Sequence, residues 1–202
     1  MKLSVVATLY ESSPFIEEFF FRAAAAARQV AGEDYEIIFI NDGSSDDSLR
    51  VAVRLTLNNP NLMVVDLTRN FGHHKAILAG LENASGDHIF VIDTDLEESP
   101  ELLLHFWEQM QRTNVELVNG QQVNRKGNFF ERVSGAIYYS VFNFLSGTRI
   151  QPNLLMAKLM TRRFRDALLL HKERAFFLGG MLALVGFNVG YYECSQRLKG
   201  TT

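Results

Sequence analysis

Four short apolar runs, each leading into a polar segment, constrain this chain more than any other feature. They are Leu3–Ala7, Glu36–Ile40, Leu62–Asp66 and His88–Ile92. Runs this short and apolar suit strands buried on both faces. Helical stripes separate them. Phe15, Phe19, Ala23, Ala26 and Val30 follow the first run, Leu49, Val53 and Leu57 the second, and Ile77 and Leu81 the third. Ser13 with Pro14, Ser45 or Asp46, and Ser99 with Pro100 are read as helix starts. Repeated strand–helix order calls for an α/β fold with a Rossmann-like, mostly parallel sheet and helices on both faces.

In such a sheet the polar segments Thr8–Ser13, Asn41–Asp46, Arg69–Lys75 and Asp93–Ser99 fall along one edge, where open α/β sheets bind ligands. The sharpest chemistry there is Asp93-Thr-Asp95. Two carboxylates suit a hard cation, Mg²⁺ or Mn²⁺, that keeps waters and shares substrate phosphates. The plainer alternative is two solvated loop aspartates. Asp42 is placed either to accept from a base imide N–H or to cap its own turn. Asp46 and Asp47 read as helix-start charges. His73 and His74 open a helix and read as capping or packing residues rather than metal ligands. Neither Gly-x-Gly-x-x-Gly after the first strand nor a Gly-Lys-Ser/Thr phosphate loop is present. The ligand expected is therefore a nucleotide whose phosphates are countered by a metal, and not a dinucleotide.

Charge divides the chain. The net charge of −3 hides 8 Lys and Arg against 19 Asp and Glu in residues 1–120, and 12 against 4 in residues 121–202. The acidic part suits a cation site; the basic part suits a phosphate or an anionic membrane surface, unless its charges simply cover solvated faces. No composition signal points to nucleic acid. Phe130, Val133, Ile137, Val141 and Phe144 form an aromatic-rich helical stripe flanked by Arg125, Lys126 and Arg132. It fits a membrane interface, a core face or a contact between copies in a homo-oligomer. Arg125, with a guanidinium fork suited to phosphate oxygens, is the candidate acceptor- or pyrophosphate-binding residue. Arg162, Arg163 and Arg165 read as a solvated helix face behind the cap Thr161. The length of 202 residues suits one domain. A lone cysteine, Cys194, excludes an intramolecular disulfide, and a reducing cytoplasm is the simplest compartment. No signal peptide is expected before Leu3. No apolar stretch reaches 18 residues; the nearest, Ala175–Val185, contains Gly179-Gly180.

Four ordered motifs carry a family resemblance: Val5-Val-Ala-Thr-Leu-Tyr-Glu11, Ile40-Asn-Asp-Gly-Ser-Ser-Asp46, Arg69-Asn-Phe-Gly-His-His-Lys-Ala76 and Gly86-Asp-His-Ile-Phe-Val-Ile-Asp-Thr-Asp-Leu96. Lys158-Leu-Met-Thr-Arg-Arg163 and Gly186–Gly200 fit as well. Together they resemble the inverting family-two glycosyltransferases, in the subgroup of dolichol-phosphate mannosyltransferase and the bacterial polyprenyl-phosphate glucosyltransferases. The resemblance implies a GT-A-like fold, a nucleotide-diphosphate-sugar donor, and Mg²⁺ or Mn²⁺ at Asp93 and Asp95. It also implies donor contacts from Thr8, Tyr10, Glu11 and Asp42, beside Asp93. With Arg125, Asp93 and Asp95 form the expected catalytic set. Residues 1–120 would bind the donor, and 121–202 would face a polyprenyl-phosphate acceptor at the inner face of the plasma membrane, in cell-envelope polysaccharide synthesis.

The chain also departs from the family pattern. Pro-x-Tyr-Asn-Glu is replaced by Thr8-Leu-Tyr-Glu-Ser12, and the segment Pro152–Met160 lacks the acidic residue that the subgroup carries there. No carboxylate occurs between Glu131 and Asp166. A phosphate acceptor, already anionic, would need little base catalysis. The subgroup's C-terminal membrane helices are absent from this sequence, which fits a truncated chain or a peripheral form. A soluble or lipid-linked glycan acceptor is the runner-up expectation. A non-catalytic nucleotide-sugar-binding protein is another, and so is a sugar nucleotidyltransferase, although the Gly-rich basic loop of the last is missing.

Overall fold

Each apolar run becomes a strand, and three of the four strands run longer than their runs because their ends pair with neighbours. The computed structural model describes residues 1–122, 153–171 and 185–194. Strand β1 is Leu3–Leu9, β2 Tyr35–Asn41, β3 Leu62–Asp66 and β4 His88–Asp93. They are followed by β5 (Leu117–Gln122), β6 (Leu154–Thr161) and β7 (Val189–Cys194). The sheet order is β3-β2-β1-β4-β6-β5-β7. β1 pairs in parallel with β2 and β4, β2 with β3, and β5 with β7, while β6 is antiparallel to both β4 and β5. The chain therefore leaves β1 to one side for β2 and β3, then crosses to its other side for β4.

Alternation along the strands divides the core into two layers. Val5, Ala7, Ile37, Phe39, Phe90 and Ile92 pack with α1 (Ile16–Ala31), α2 (Ser48–Thr56) and α4 (Leu102–Thr113). Val6, Ile38, Ile40, Ile89 and Val91 pack with α3 (His73–Asn83) and α5 (Arg162–Leu169). The expected helices on both faces of a mostly parallel sheet are present. Ala23, Ala24, Ala26 and Ala27 are all buried, which brings α1 close to the sheet. Gly80 does the same for α3, since a Cβ there would strike Val6 and Ile40.

Three local expectations are corrected. Ser13 and Ser99 are not the N-caps of their helices. In each case a turn comes first, with Phe15 N donating to Ser12 O at 2.9 Å and Leu102 N donating to Ser99 O at 3.0 Å. The α-helices then begin at Ile16 and Leu102. The inward face of α2 is not Leu49, Val53 and Leu57: Val53 and Leu57 are exposed. Ser48 accepts from Ser12 N at 2.8 Å and is buried, which turns Ala52, Val51 and Leu55 toward the core instead. The α5 arginines form a solvated face only in part: Arg162 and Arg163 are exposed, as expected, and Arg165 is drawn inward. Thr161 caps α5, accepting from Phe164 N. Arg162 reaches Gly86 O and Ser85 O, and Arg163 pairs with Glu116. Arg165 donates to Leu81 O and Ala84 O at the C-terminal end of α3, where the helix dipole favours a cation.

Candidate active site

The C-terminal ends of β1, β2 and β4 meet where the strand order reverses, at the β1–β4 junction. Thr8 of β1 lies in register with Asp93 of β4. Its hydroxyl donates to Asp93 Oδ1 at 2.6 Å. His73, the first residue of α3, brings Nδ1 to 3.4 Å from Thr8 Oγ1 and 3.6 Å from Asp93 Oδ1. Burial pushes the Asp93 carboxyl above the usual range, while His73, the Thr8 hydroxyl and Lys158 pull it back and Asp95 adds to the rise. Thr94 ties the next residue down by donating to Thr8 O at 2.8 Å. Asp95 is exposed and accepts from Glu97 N at 2.9 Å, ahead of Leu96 with its positive φ of 57°.

Tyr10 and Glu11 form the lip after β1. Tyr10 is half exposed, Glu11 has φ 49° and its carboxylate accepts from Ser45. Asp42 is buried just beyond β2 and does not cap α2. Its two oxygens instead accept from Phe71 N at 2.7 Å and Gly72 N at 3.1 Å, so it holds the β3–α3 loop. Asn41 reinforces this by donating to Asp66 at 2.8 Å. Asp42→Asn is therefore expected to lower stability by ~1–3 kcal/mol, because an amide turns its NH₂ toward one of the two N–H groups. Urea denaturation reads this; an unchanged midpoint with unchanged slope would show that the loop does not depend on the carboxylate.

The sequence-predicted residues Thr8, Tyr10, Glu11, Asp42, Asp93 and Asp95 thus share one strand-end edge. Arg125 and the Phe130–Phe144 stripe lie outside the described residues. Two features were not foreseen. His73 joins Thr8 and Asp93, although its place at the start of a helix on the ligand edge was a usable signal. Lys158 of β6 is 4% exposed, with Nζ donating to Leu155 O at 2.6 Å and Met156 O at 3.2 Å. Burial pushes this ammonium down to about 8, against the pull of Glu98 and Asp93. Asn119, its register partner on β5, is also buried, and Asn119 Oδ1 has no hydrogen-bond partner.

The donor set fits a substrate-shared cation. Among the described residues no three His, Cys, Asp or Glu side chains gather into a metal cluster. Two carboxylates, one half-buried and one exposed, match an ion that completes its shell with water and phosphate oxygens. Asp93, held in a poorly solvated position, has its charge favoured by any such ion.

Comparison with known proteins gives the family and the fold. The model for glycosyl transferase family 2 matches residues 4–175. The chain belongs to that family. A Mycobacterium tuberculosis protein grouped with the glycosyltransferases is 40% identical over 202 residues, which is 100% of this chain and 59% of that protein. An Escherichia coli prophage bactoprenol glucosyl transferase homolog is 30% identical over 205 residues, covering 100% of this chain and 66% of its own length. The family 2 chain thus spans less than two thirds of these relatives. Among solved structures, the mannosyltransferase PcManGT from Pyrobaculum calidifontis, in complex with GDP-Man and Mn²⁺, superposes with a TM-score of 0.67 at 17% identity. The overlap is 98% of this chain and 57% of that one, and it establishes the GT-A fold. No helix among the described residues is long and apolar enough to cross a membrane.

Proposed function

We propose that this chain moves a sugar from a nucleotide-diphosphate-sugar to polyprenyl phosphate, with inversion at the anomeric carbon. The observation that carries the reading is Asp93 and Asp95 at the β1–β4 switch point, within one edge that also holds Thr8, Tyr10, Glu11 and Asp42. Residues 1–120 serve the donor. Tyr10 and Glu11 lie on the base side, while Asp42 sets the loop beneath them and keeps lone pairs for a base N–H. Thr8 and His73 orient Asp93, and Asp93 and Asp95 would hold Mg²⁺ or Mn²⁺. Bound there, the ion offsets the charge developing on the departing diphosphate, a contribution of several kcal/mol. PcManGT, seen with GDP-Man and Mn²⁺, supports that arrangement.

The acceptor follows from the basic second part of the chain, with Arg125 as the phosphate contact, and from the bactoprenol name of the Escherichia coli relative. A phosphate oxygen is already a competent nucleophile, so the missing carboxylate of Pro152–Met160 is no obstacle. The basic, aromatic segment 125–144 would meet an anionic bilayer peripherally, each basic residue adding about 1 kcal/mol that salt screens.

The test is turnover. Radiolabelled UDP- and GDP-sugars are incubated with polyprenyl phosphate in anionic vesicles, with Mn²⁺ or with chelator. Label should pass to the organic phase with release of nucleoside diphosphate, and chelation should abolish it. The anomeric coupling constant of the product reads inversion. Transfer to a water-soluble glycan in place of the lipid would overturn the acceptor assignment.

A further inference from the structure

The loop after β4 is anchored on both sides of Asp95, and the second anchor lies outside the donor site. Pairing between β4 and β6 stops at Val91 and Lys158. Beyond it β6 is irregular: its register with β5 shifts between Asn119 and Gln121. At this bend two consecutive N–H groups, those of Met156 and Ala157, reach one carboxylate. Met156 N donates to Glu98 Oε1 at 2.8 Å and Ala157 N donates to Glu98 Oε2 at 2.6 Å. Lys158 Nζ takes the carbonyls of Leu155 and Met156 from within the same bend. Donors and acceptors of one strand segment are thus clamped by a pair of opposite charges. Burial raises the Glu98 carboxyl, and the two N–H groups and Lys158 oppose that rise.

We propose that Glu98 is a positioning residue, which fixes the Asp93–Asp95 loop against the bend of β6 so that the cation ligands are held in register with the strand beside them. The inference rests on reading Asp93 and Asp95 as cation ligands. Asp95 is exposed, and the hydrogen bond it accepts from Glu97 N lies within the same loop, so that contact does not tie it to the sheet. Thr94 pins the loop on one side through Thr8 O, and Glu98 pins it four residues later on the other. Only a carboxylate presents acceptors to both N–H groups at once. It also supplies Lys158 with a counter-charge, which keeps that ammonium from bearing on Asp93 alone.

Binding of Mn²⁺ in the presence of UDP, GDP or ADP in turn, read from the electron paramagnetic resonance of the free ion, tests this without any turnover. Glu98→Gln removes charge and one acceptor; Glu98→Asp keeps the charge and shortens the reach. Both variants should weaken Mn²⁺ binding by roughly 10–100-fold, the usual cost of losing a group that orients metal ligands. Either one suffices if the other does not fold. Glu101→Gln is the comparison: it breaks the pair with Arg22 at the same loop's exit, away from β6, and should lower Tm with Mn²⁺ affinity kept. Parent-like Mn²⁺ affinity in Glu98→Asp would overturn the positioning role, and so would equal weakening in Glu101→Gln. If the parent itself binds no Mn²⁺, or binds it as well after Asp95→Ala, the cation assignment fails and the role of Glu98 fails with it.

Discussion

Asp95→Ala should reduce Mn²⁺-dependent binding of the nucleoside diphosphate by at least about 100-fold, close to 2.7 kcal/mol, while leaving the fold intact. The two halves of this expectation come from different observations. The loss follows from removing one of two carboxylates in a site where no third metal-ligating side chain gathers among the described residues. An ion in water and phosphate oxygens alone gains little from the protein. The intact fold follows from exposure: Asp95 is exposed and accepts a local hydrogen bond from Glu97 N. Surface changes of that kind stay within about 0.5 kcal/mol in stability. Asp93→Ala should behave differently, because it also strips a partner from Thr8 and from His73. Calorimetric titration with Mn²⁺ present and absent, beside a thermal melt of each variant, separates binding from folding. Parent-like affinity in Asp95→Ala would remove the cation from this edge.

Gly43→Ala should be the most damaging small substitution near the site, costing roughly 2–5 kcal/mol. Gly43 has φ 66°, where an L side chain is strained. A Cβ there would also meet the backbone itself, with Arg69 C at 2.5 Å and Asn70 N nearer still. Neither neighbour is the tip of a flexible side chain that could swing away. The loops after β2 and β3 would have to separate, and the bonds from Asp42 to Phe71 and Gly72 would go with them. Against a total stability of about 5–15 kcal/mol, such a loss is large. Urea denaturation should show a lower midpoint, and donor affinity should fall alongside. A variant as stable as the parent would mean that the two loops are not in contact in solution.

The alternating half of the fold was legible in the chain because its information is local. Leu3–Ala7, Glu36–Ile40, Leu62–Asp66 and His88–Ile92 each declare a buried strand within a few residues, and β3 was bounded correctly at both ends. The strand-end edge followed from that order, and Thr8, Tyr10, Glu11, Asp42, Asp93 and Asp95 fell on it. What the sequence could not disclose depends on partners distant in the chain. β5, Leu117-Val-Asn-Gly-Gln-Gln122, is half polar, and it is a strand because β6 and β7 flank it. Helix entries moved by two residues because Ser12 and Ser99 offer carbonyls to a preceding turn. The face of α2 was decided by Ser48 meeting Ser12, 36 residues away. Lys158 in an apolar strand reads as a mismatch until Glu98 is seen to bind the adjacent backbone across 58 and 59 residues. Burying a charge is costly unless a partner is present, and only the tertiary structure supplies that partner.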